Sequence, residues 1–116
     1  MHYSKQTGDK GEEIALDFLV QLGYKILKTK FYSKFGEIDI IAQDRDTIVF
    51  IEVKNYKDKS LLSPYSAITA VKKKKIIKTA KYFLTTLKDA DVPSRFDVII
   101  LENDKLLDHI QGAFFV

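Results

Sequence analysis

The feature that most constrains this chain is a pair of apolar segments, each with a carboxylate in its interior. Gly36-Glu37-Ile38-Asp39-Ile40-Ile41-Ala42 and Ile48-Val49-Phe50-Ile51-Glu52-Val53-Lys54 are rich in isoleucine, valine and phenylalanine, the composition of strands that lie in a core. Asp44-Arg45-Asp46 separates them as a polar turn. The two segments therefore predict an antiparallel hairpin. A charged side chain enters such a strand only with compensation. The fold must bring something to Asp39 and Glu52.

The register of the hairpin follows from its turn. If the turn centres between Arg45 and Asp46, the numbers of paired residues sum to 91. Side chains alternate between faces. One face then sets Asp39 opposite Glu52, Glu37 opposite Lys54 and Ile41 opposite Phe50. The other is wholly apolar, pairing Ile38 with Val53, Ile40 with Ile51 and Ala42 with Val49. A slip of one residue would exchange the faces. Directly opposed Cβ atoms lie about 4.5–5.5 Å apart, so Asp39 and Glu52 would repel. A divalent cation, Mg²⁺ or Mn²⁺, would offset that repulsion and keep waters at its remaining positions. Such an ion activates a water and neutralises charge on a phosphate. Lys54, two residues along on the same face, could orient that water or steady the phosphate. The competing reading is a Glu37–Lys54 ion pair on a solvated sheet face. It leaves Asp39 facing Glu52 unexplained.

The rest of the chain supplies two helices and three more strands. Gly8 to Leu22 carries Ile14, Ala15, Phe18, Leu19 and Leu22 at helical spacing, with Asp9 as N-cap and Gly23 as C-terminal glycine. Tyr24 to Phe31 alternates as a strand. Lys57 to Leu62 reads as a loop, and Ser63-Pro64 as a cap followed by a first-turn proline. The second helix should run to about Leu87, with Ile68, Val71, Ile76, Ile77, Ala80, Leu84 and Leu87 toward the core. Phe96 to Leu101 and Lys105 to Ile110 are the last two strands. The order αβββαββ predicts an α/β fold with a mixed sheet flanked by helices, and the strand–helix–strand passage predicts a parallel pair. A length of 116 residues fits one domain over 1–116.

Charge is distributed unevenly. The net charge is +3, but Lys72, Lys73, Lys74, Lys75, Lys78, Lys81 and Lys88 follow one another without an acidic residue between them. Such a run is either a solvated helix face or a contact for a polyanion. The absence of cysteine excludes disulfides and thiolate metal sites. Met1-His2-Tyr3-Ser4-Lys5 leads into no apolar leader segment, and no run approaches the roughly 20 apolar residues of a membrane span. A cytoplasmic protein is expected. Tyr32, Tyr56 and Tyr65 could stack on bases, with core packing or plain exposure as the alternative. His2 and His109 give weak signals, His109 reading as structural.

Asp39, then twelve intervening residues, then Glu52-Val53-Lys54 resembles the D…ExK signature of the restriction-endonuclease-like superfamily. Its context sharpens the resemblance. Gly11-Glu12, Gly36 to Ala42, Phe50 to Lys54, Ala67-Ile68 with Lys72, Arg95-Phe96-Asp97-Val98, and His109-Ile110 with Ala113-Phe114 follow in the order seen in the YraN-like family of small bacterial proteins. That family is similar to archaeal Holliday-junction resolvases. The resemblance implies a restriction-endonuclease-like fold and a metal-dependent nuclease that hydrolyses DNA phosphodiester bonds, branched DNA included. Asp39, Glu52 and Lys54 match the nuclease core, and Glu12 matches the first-helix acid of such enzymes. Asp39, Glu52 and Glu12 would hold Mg²⁺ or Mn²⁺. Glu12 also stands three residues after Asp9, the spacing of a capping box. Glu13 faces away. Lys72 matches the family's helix lysine, and Lys73, Lys75 and Lys78 would join it on nucleic acid. Asn55 departs from the family, which commonly has arginine there, and puts one phosphate contact in doubt. Analogy with resolvases also implies a homodimer, supported by the apolar tail Ala113-Phe114-Phe115-Val116. The alternative is a nucleic-acid-binding module that keeps the nuclease fold without turnover.

Overall fold

A computed structural model describes residues 3–57, 68–89 and 91–114, with side chains from Lys10 onward. The elements are α1 (Tyr3–Gln21), β1 (Lys25–Ser33), β2 (Gly36–Asp44), β3 (Thr47–Tyr56), α2 (Ala70–Leu84), β4 (Ser94–Glu102) and β5 (Lys105–Phe114). The expected αβββαββ order is present. The strands form one mixed sheet in sequence order, with β3 parallel to β4 and every other neighbour antiparallel. The parallel pair is the one that α2 connects.

Each helix covers its own apolar cluster. Ala15 and Leu19 of α1 pack with Ile40, Ala42, Val49, Ile51, Ile99 and Leu101. Ile76, Ala80 and Phe83 of α2 pack with Ile38, Ile41, Ile48, Phe50, Phe96 and Phe114. Alternation along β3 and β4 sends Phe50 and Phe96 to one cluster and Ile51 and Ile99 to the other, as the two-residue period requires.

The helix boundaries differ from the sequence expectation. α1 begins at Tyr3, so Asp9 stands in the interior of the helix and not at the N-cap position expected for it. Its C-terminus is as expected: Gly23 has φ 93, and Gly23 N and Tyr24 N donate to Val20 O and Leu19 O at 2.9 and 3.0 Å. Leu22 lies beyond the last helical turn and is exposed rather than packed. Ser63-Pro64 and the start expected there lie outside the described residues. α2 is capped by Thr69, whose side chain accepts from Lys72 N at 3.1 Å. Starting the helix at Ala70 leaves Val71 exposed and makes Ile76, Thr79, Ala80 and Phe83 the buried stripe. Phe83 was not expected in the core.

The hairpin register is as derived from the turn. Asp44 pairs with Thr47, Ala42 with Val49, Ile41 with Phe50 and Ile40 with Ile51. Arg45 takes φ 59, a backbone shape suited to tight hairpin turns. The ladder ends at Ile40 and Ile51, and the expected Ile38–Val53 pair is absent. Across β1, Thr29 pairs with Ile40 and Phe31 with Ile38, while Lys30 between them has φ 50. Such a φ is uncommon outside glycine. Ile38 lies with Ile41 and Phe50 on the α2 side instead of with Ile40 and Ala42. The alternation of β2 breaks at Asp39.

Candidate metal and phosphate site

The site is built at that break. In a continued ladder the Val53 amide would face the β2 backbone; instead it donates to Asp39 Oδ2 at 2.8 Å. The carboxylate of Asp39 thus replaces a strand partner, which locks its orientation. Glu52, one residue before Val53, is buried at 7% exposure and lies within hydrogen-bonding reach of Asp39. Burial, then the charge of Glu52, pushes the Asp39 carboxyl up from 3.8 to about 7. The Val53 amide opposes that rise, while the charge of Glu12 and the carboxyl–carboxyl hydrogen bond add to it. The repulsion inferred from the hairpin register is therefore present.

Two lysines approach from different elements. Lys72 Nζ of α2 lies 2.7 Å from Glu52 Oε2, and Lys54 Nζ of β3 lies 3.5 Å from the same oxygen. Burial would depress the Lys72 ammonium, but its hydrogen bonds to Glu52 and Lys54 and the charges of Glu52 and Asp39 together raise it. Burial and the neighbouring Lys72 depress Lys54, against the pull of Glu52. A depressed lysine gives up its proton more readily than an ordinary one, a property suited to proton transfer. Gly36, Glu37, Asp39, Glu52, Lys72, Lys75 and Ile76 line a cleft of about 190 Å³.

The remaining expected residues fall into place less uniformly. Glu12 turns toward the sheet and meets Lys30 Nζ at 3.0 Å, so it acts on Asp39 through its charge. Among the described residues no group of three or more aspartate, glutamate or histidine side chains is gathered closely enough to hold a metal ion. Glu12 does not complete a triad with Asp39 and Glu52. Glu13 is exposed, as expected. The Glu37–Lys54 ion pair does not form: Lys54 pairs with Glu52, and Glu37 stands opposite Tyr32 in the β1–β2 ladder. Lys75 lines the cleft, Lys73 sits over the Phe114 ring at 5.6 Å, and Lys78 over Phe35 at 5.4 Å. Asn55 does not line the cleft. It donates to Asp104 Oδ1 at 2.7 Å, accepts from Asp104 N at 3.2 Å, and packs under Gly11, where a Cβ would come within 3.2 Å of it. Tyr56 is half-buried, and Tyr65 and His2 lie outside the described residues.

Sequence reasoning missed a second buried carboxylate. Asp97 of β4 is 1% exposed and accepts from Arg95 Nε at 3.1 Å and Gly112 N at 3.1 Å, with His109 Nε2 at 2.8 Å. Arg95 continues to Tyr24 Oη at 2.6 Å and Asp44 Oδ2 at 3.2 Å. Burial alone would raise the Asp97 carboxyl, but His109, Arg95 and the Gly112 amide together lower it. Both carboxylate oxygens have donors, so this network is a clamp. The signal was available: Asp97 interrupts an apolar strand just as Asp39 does. His109 is structural, as expected.

The donor set at the cleft suits a hard divalent cation. Two carboxylates pressed together by the fold supply oxygen ligands, and water or phosphate oxygens would complete the shell. Among the described residues no helix is long and apolar enough to cross a membrane.

Known proteins place the chain in one family. The sequence model of the Uncharacterised protein family UPF0102 matches residues 11–101. A UPF0102 protein of Thermodesulfovibrio yellowstonii is 44% identical over 110 residues, covering 95% of this chain and 96% of its own. One from Clostridioides difficile is 39% identical over 112 residues, covering 96% and 98%, and one from Geotalea daltonii is 44% identical over 115 residues, covering 96% and 91%. The span includes Glu12, Asp39, Glu52, Lys54 and Lys72, and the chain belongs to the UPF0102 family, the YraN-like family that its motifs resemble.

Proposed function

We propose that this protein is a metal-dependent nuclease that hydrolyses phosphodiester bonds of DNA, with branched DNA among its substrates. The observation that carries the reading is the Asp39–Glu52 carboxyl pair in a cleft that Lys72 lines from a helix, with Lys54 of the strand paired to the same Glu52. Asp39 and Glu52 would hold Mg²⁺ or Mn²⁺. When bound, that ion would lower the pKa of a water and neutralise phosphate charge. Glu12 adds negative potential from behind Lys30 and holds the Lys30 side of the break in β2. Lys54 takes or returns a proton at the attacking water, and Lys72 leaves Glu52 for a phosphate oxygen.

The electrostatics of α2 support an anion at its first turns. No acidic residue stands in its first turn, and Lys72, Lys73, Lys74 and Lys75 crowd the end where the helix dipole is already positive. An incoming phosphate relieves both. Lys72, Lys73, Lys75 and Lys78 would contact the backbone of DNA without reading its bases, so binding should weaken steeply with salt.

Cleavage of linear, nicked, flapped and four-way-junction DNA with Mg²⁺ or Mn²⁺ tests the reading. Asp39→Ala should abolish cleavage. Lys54→Ala should abolish it while leaving metal binding intact. Wild type inert on all four substrates with either metal removes the nuclease reading. One observation favours a second reading, a nucleic-acid-binding module without turnover: Lys72 and Lys54 already neutralise Glu52 without a cation. Salt-dependent binding together with inert wild type is its outcome. Pairing of two copies rests on the resolvase analogy, because Phe114 of the apolar tail is buried in this chain's own core. Sedimentation equilibrium should show a dimer.

A further inference from the structure

Three aromatic rings meet water where the β1–β2 hairpin turns against α2. Tyr32, Phe35 and Tyr82 keep 66%, 36% and 51% of their surface exposed. With Ser33 and Lys34 they line an open hollow of about 370 Å³. Gathered exposed rings on a small protein mark a contact surface more often than chance. The hollow is held in shape. Phe35 N donates to Ser33 Oγ at 3.0 Å, and Ser33 Oγ lies 2.9 Å from Thr79 Oγ1 of α2. Phe31 stacks on one face of Tyr82, with centroids 6.1 Å apart and planes at 28°.

Cations frame the rings. The ammonium groups of Lys34 and Lys78 lie 5.3 and 5.4 Å from the Phe35 centroid, and no carboxylate lines the hollow among the described residues. Glu37 stands opposite Tyr32 in the β1–β2 ladder, outside the lining of the hollow. The hollow also adjoins the carboxylate cleft: Phe35 lines the first and the next residue, Gly36, lines the second. An acidic peptide would use the lysines and leave the rings wet. An apolar segment would use the rings and strand the lysines. A nucleotide offers a flat π-face with an anionic phosphate close beside it, which matches both. A base pair inside a duplex hides that face, so the occupant is unpaired.

We propose that the Tyr32–Phe35–Tyr82 hollow seats an unpaired base of single-stranded DNA, with Lys34 and Lys78 on the flanking phosphates. The strand so held runs into the Asp39–Glu52 cleft. The inference rests on the nuclease reading for its choice of DNA. It adds that the substrate presents single-stranded nucleotides beside the cut, as a flap or an open branch point does. On binding, a base takes the ring face that one ammonium now covers, and the displaced ammonium moves to phosphate.

The test is fluorescence anisotropy of the full chain in a chelator, with labelled oligo(dT) and a blunt duplex of equal length. Oligo(dT) should bind more tightly. Phe35→Ala and Tyr82→Ala should each weaken oligo(dT) about 5-fold or more while leaving the duplex nearly unchanged, since stacking is removed and the ion pairs to phosphate remain. Phe35→Tyr should retain wild-type binding, and thermal melting of each variant reports whether it is folded. An oligo(dT) carrying 5-iododeoxyuridine should crosslink to the peptides containing Phe35 or Tyr82. Equal affinity for both DNA forms, folded alanine variants that bind oligo(dT) as wild type does, or equal displacement by polyglutamate would overturn the proposal. So would binding of oligo(U) without oligo(dT). Because the assay needs no turnover, its failure is distinct from that of the nuclease reading. Protein that selects single strands yet never cleaves loses only the nuclease reading. Protein that cleaves without selecting single strands loses only the hollow.

Discussion

Asp39 is under opposing demands. Its Oδ2 is held by the Val53 amide at 2.8 Å, while burial and Glu52 push its carboxyl to about 7. The folded state therefore holds a proton that the unfolded chain, with an ordinary value of 3.8, releases earlier. Between about pH 4 and pH 7 the folded state binds more protons, so metal-free stability falls as pH rises through that window and then levels off. Asp39→Asn keeps an oxygen for Val53 and removes the titration. Its expected effect is a gain on the order of 2 kcal/mol at pH 8 and little change at pH 4.5, read from urea unfolding of chelator-treated protein. A variant less stable than wild type at pH 8 would show that the pair is structural.

At the scale of elements, α2 is where packing and charge are joined. Its apolar stripe anchors it to the sheet through Ile76, Ala80 and Phe83, while its first turns carry lysines against the dipole. Thr69 closes the start of the helix and thereby sets where Lys72 points. Thr69→Ala should cost about 1 kcal/mol of stability. It should also loosen the Lys72–Glu52 ion pair, visible as a change in the Lys72 ammonium signal by NMR. Alanine at Lys72, Lys73, Lys75 and Lys78 together should flatten the salt dependence of single-stranded DNA binding by roughly 0.7 in log–log slope for each phosphate that is no longer neutralised. A slope that stays at the wild-type value would place the DNA elsewhere.

Across the whole molecule, the Asp97 clamp holds the far end of the sheet. Through Arg95, His109, Gly112, Tyr24 and Asp44 it ties β4 to β5, to the end of β2 and to the entry of β1. Asp97→Ala would leave those donors without their central acceptor and should cost about 3 kcal/mol or more in urea unfolding. The Asp97 carboxyl is lowered by its partners, so its contribution is full above the ordinary carboxylate range and is lost as pH falls below 3.8. Acid unfolding should therefore be steeper in wild type than in the variant. Metal acts in the opposite sense at the other site. If Asp39 and Glu52 hold Mg²⁺, an ion at 100 times its Kd should stabilise the wild type by about 2.7 kcal/mol and leave Asp39→Asn unmoved, as thermal melts with and without Mg²⁺ would record.

What local sequence determined was the order of elements, the two-residue turn at Arg45-Asp46, the register down to Ile40 and Ile51, and the approach of Asp39 to Glu52. These follow from short-range rules: a period of two along strands, a period of 3.6 along helices, and turn chemistry. Leu22 and Val71 belonged to the right period and still lie in water: Leu22 stands just past the last residue of α1, and Val71 points away from the Ile76, Thr79, Ala80 and Phe83 stripe of α2. The break in β2 was not legible. It depends on Lys30 in β1 taking a positive φ and on Val53 in β3 giving its amide to a side chain, two events on different strands. Nor did spacing reveal that Lys72, twenty residues beyond Glu52, would be its closest cation at 2.7 Å, or that Tyr82 would share a hollow with Phe35. Such pairings are decided by how α2 lies on the sheet, and that placement comes from the summed burial of its stripe rather than from any one residue.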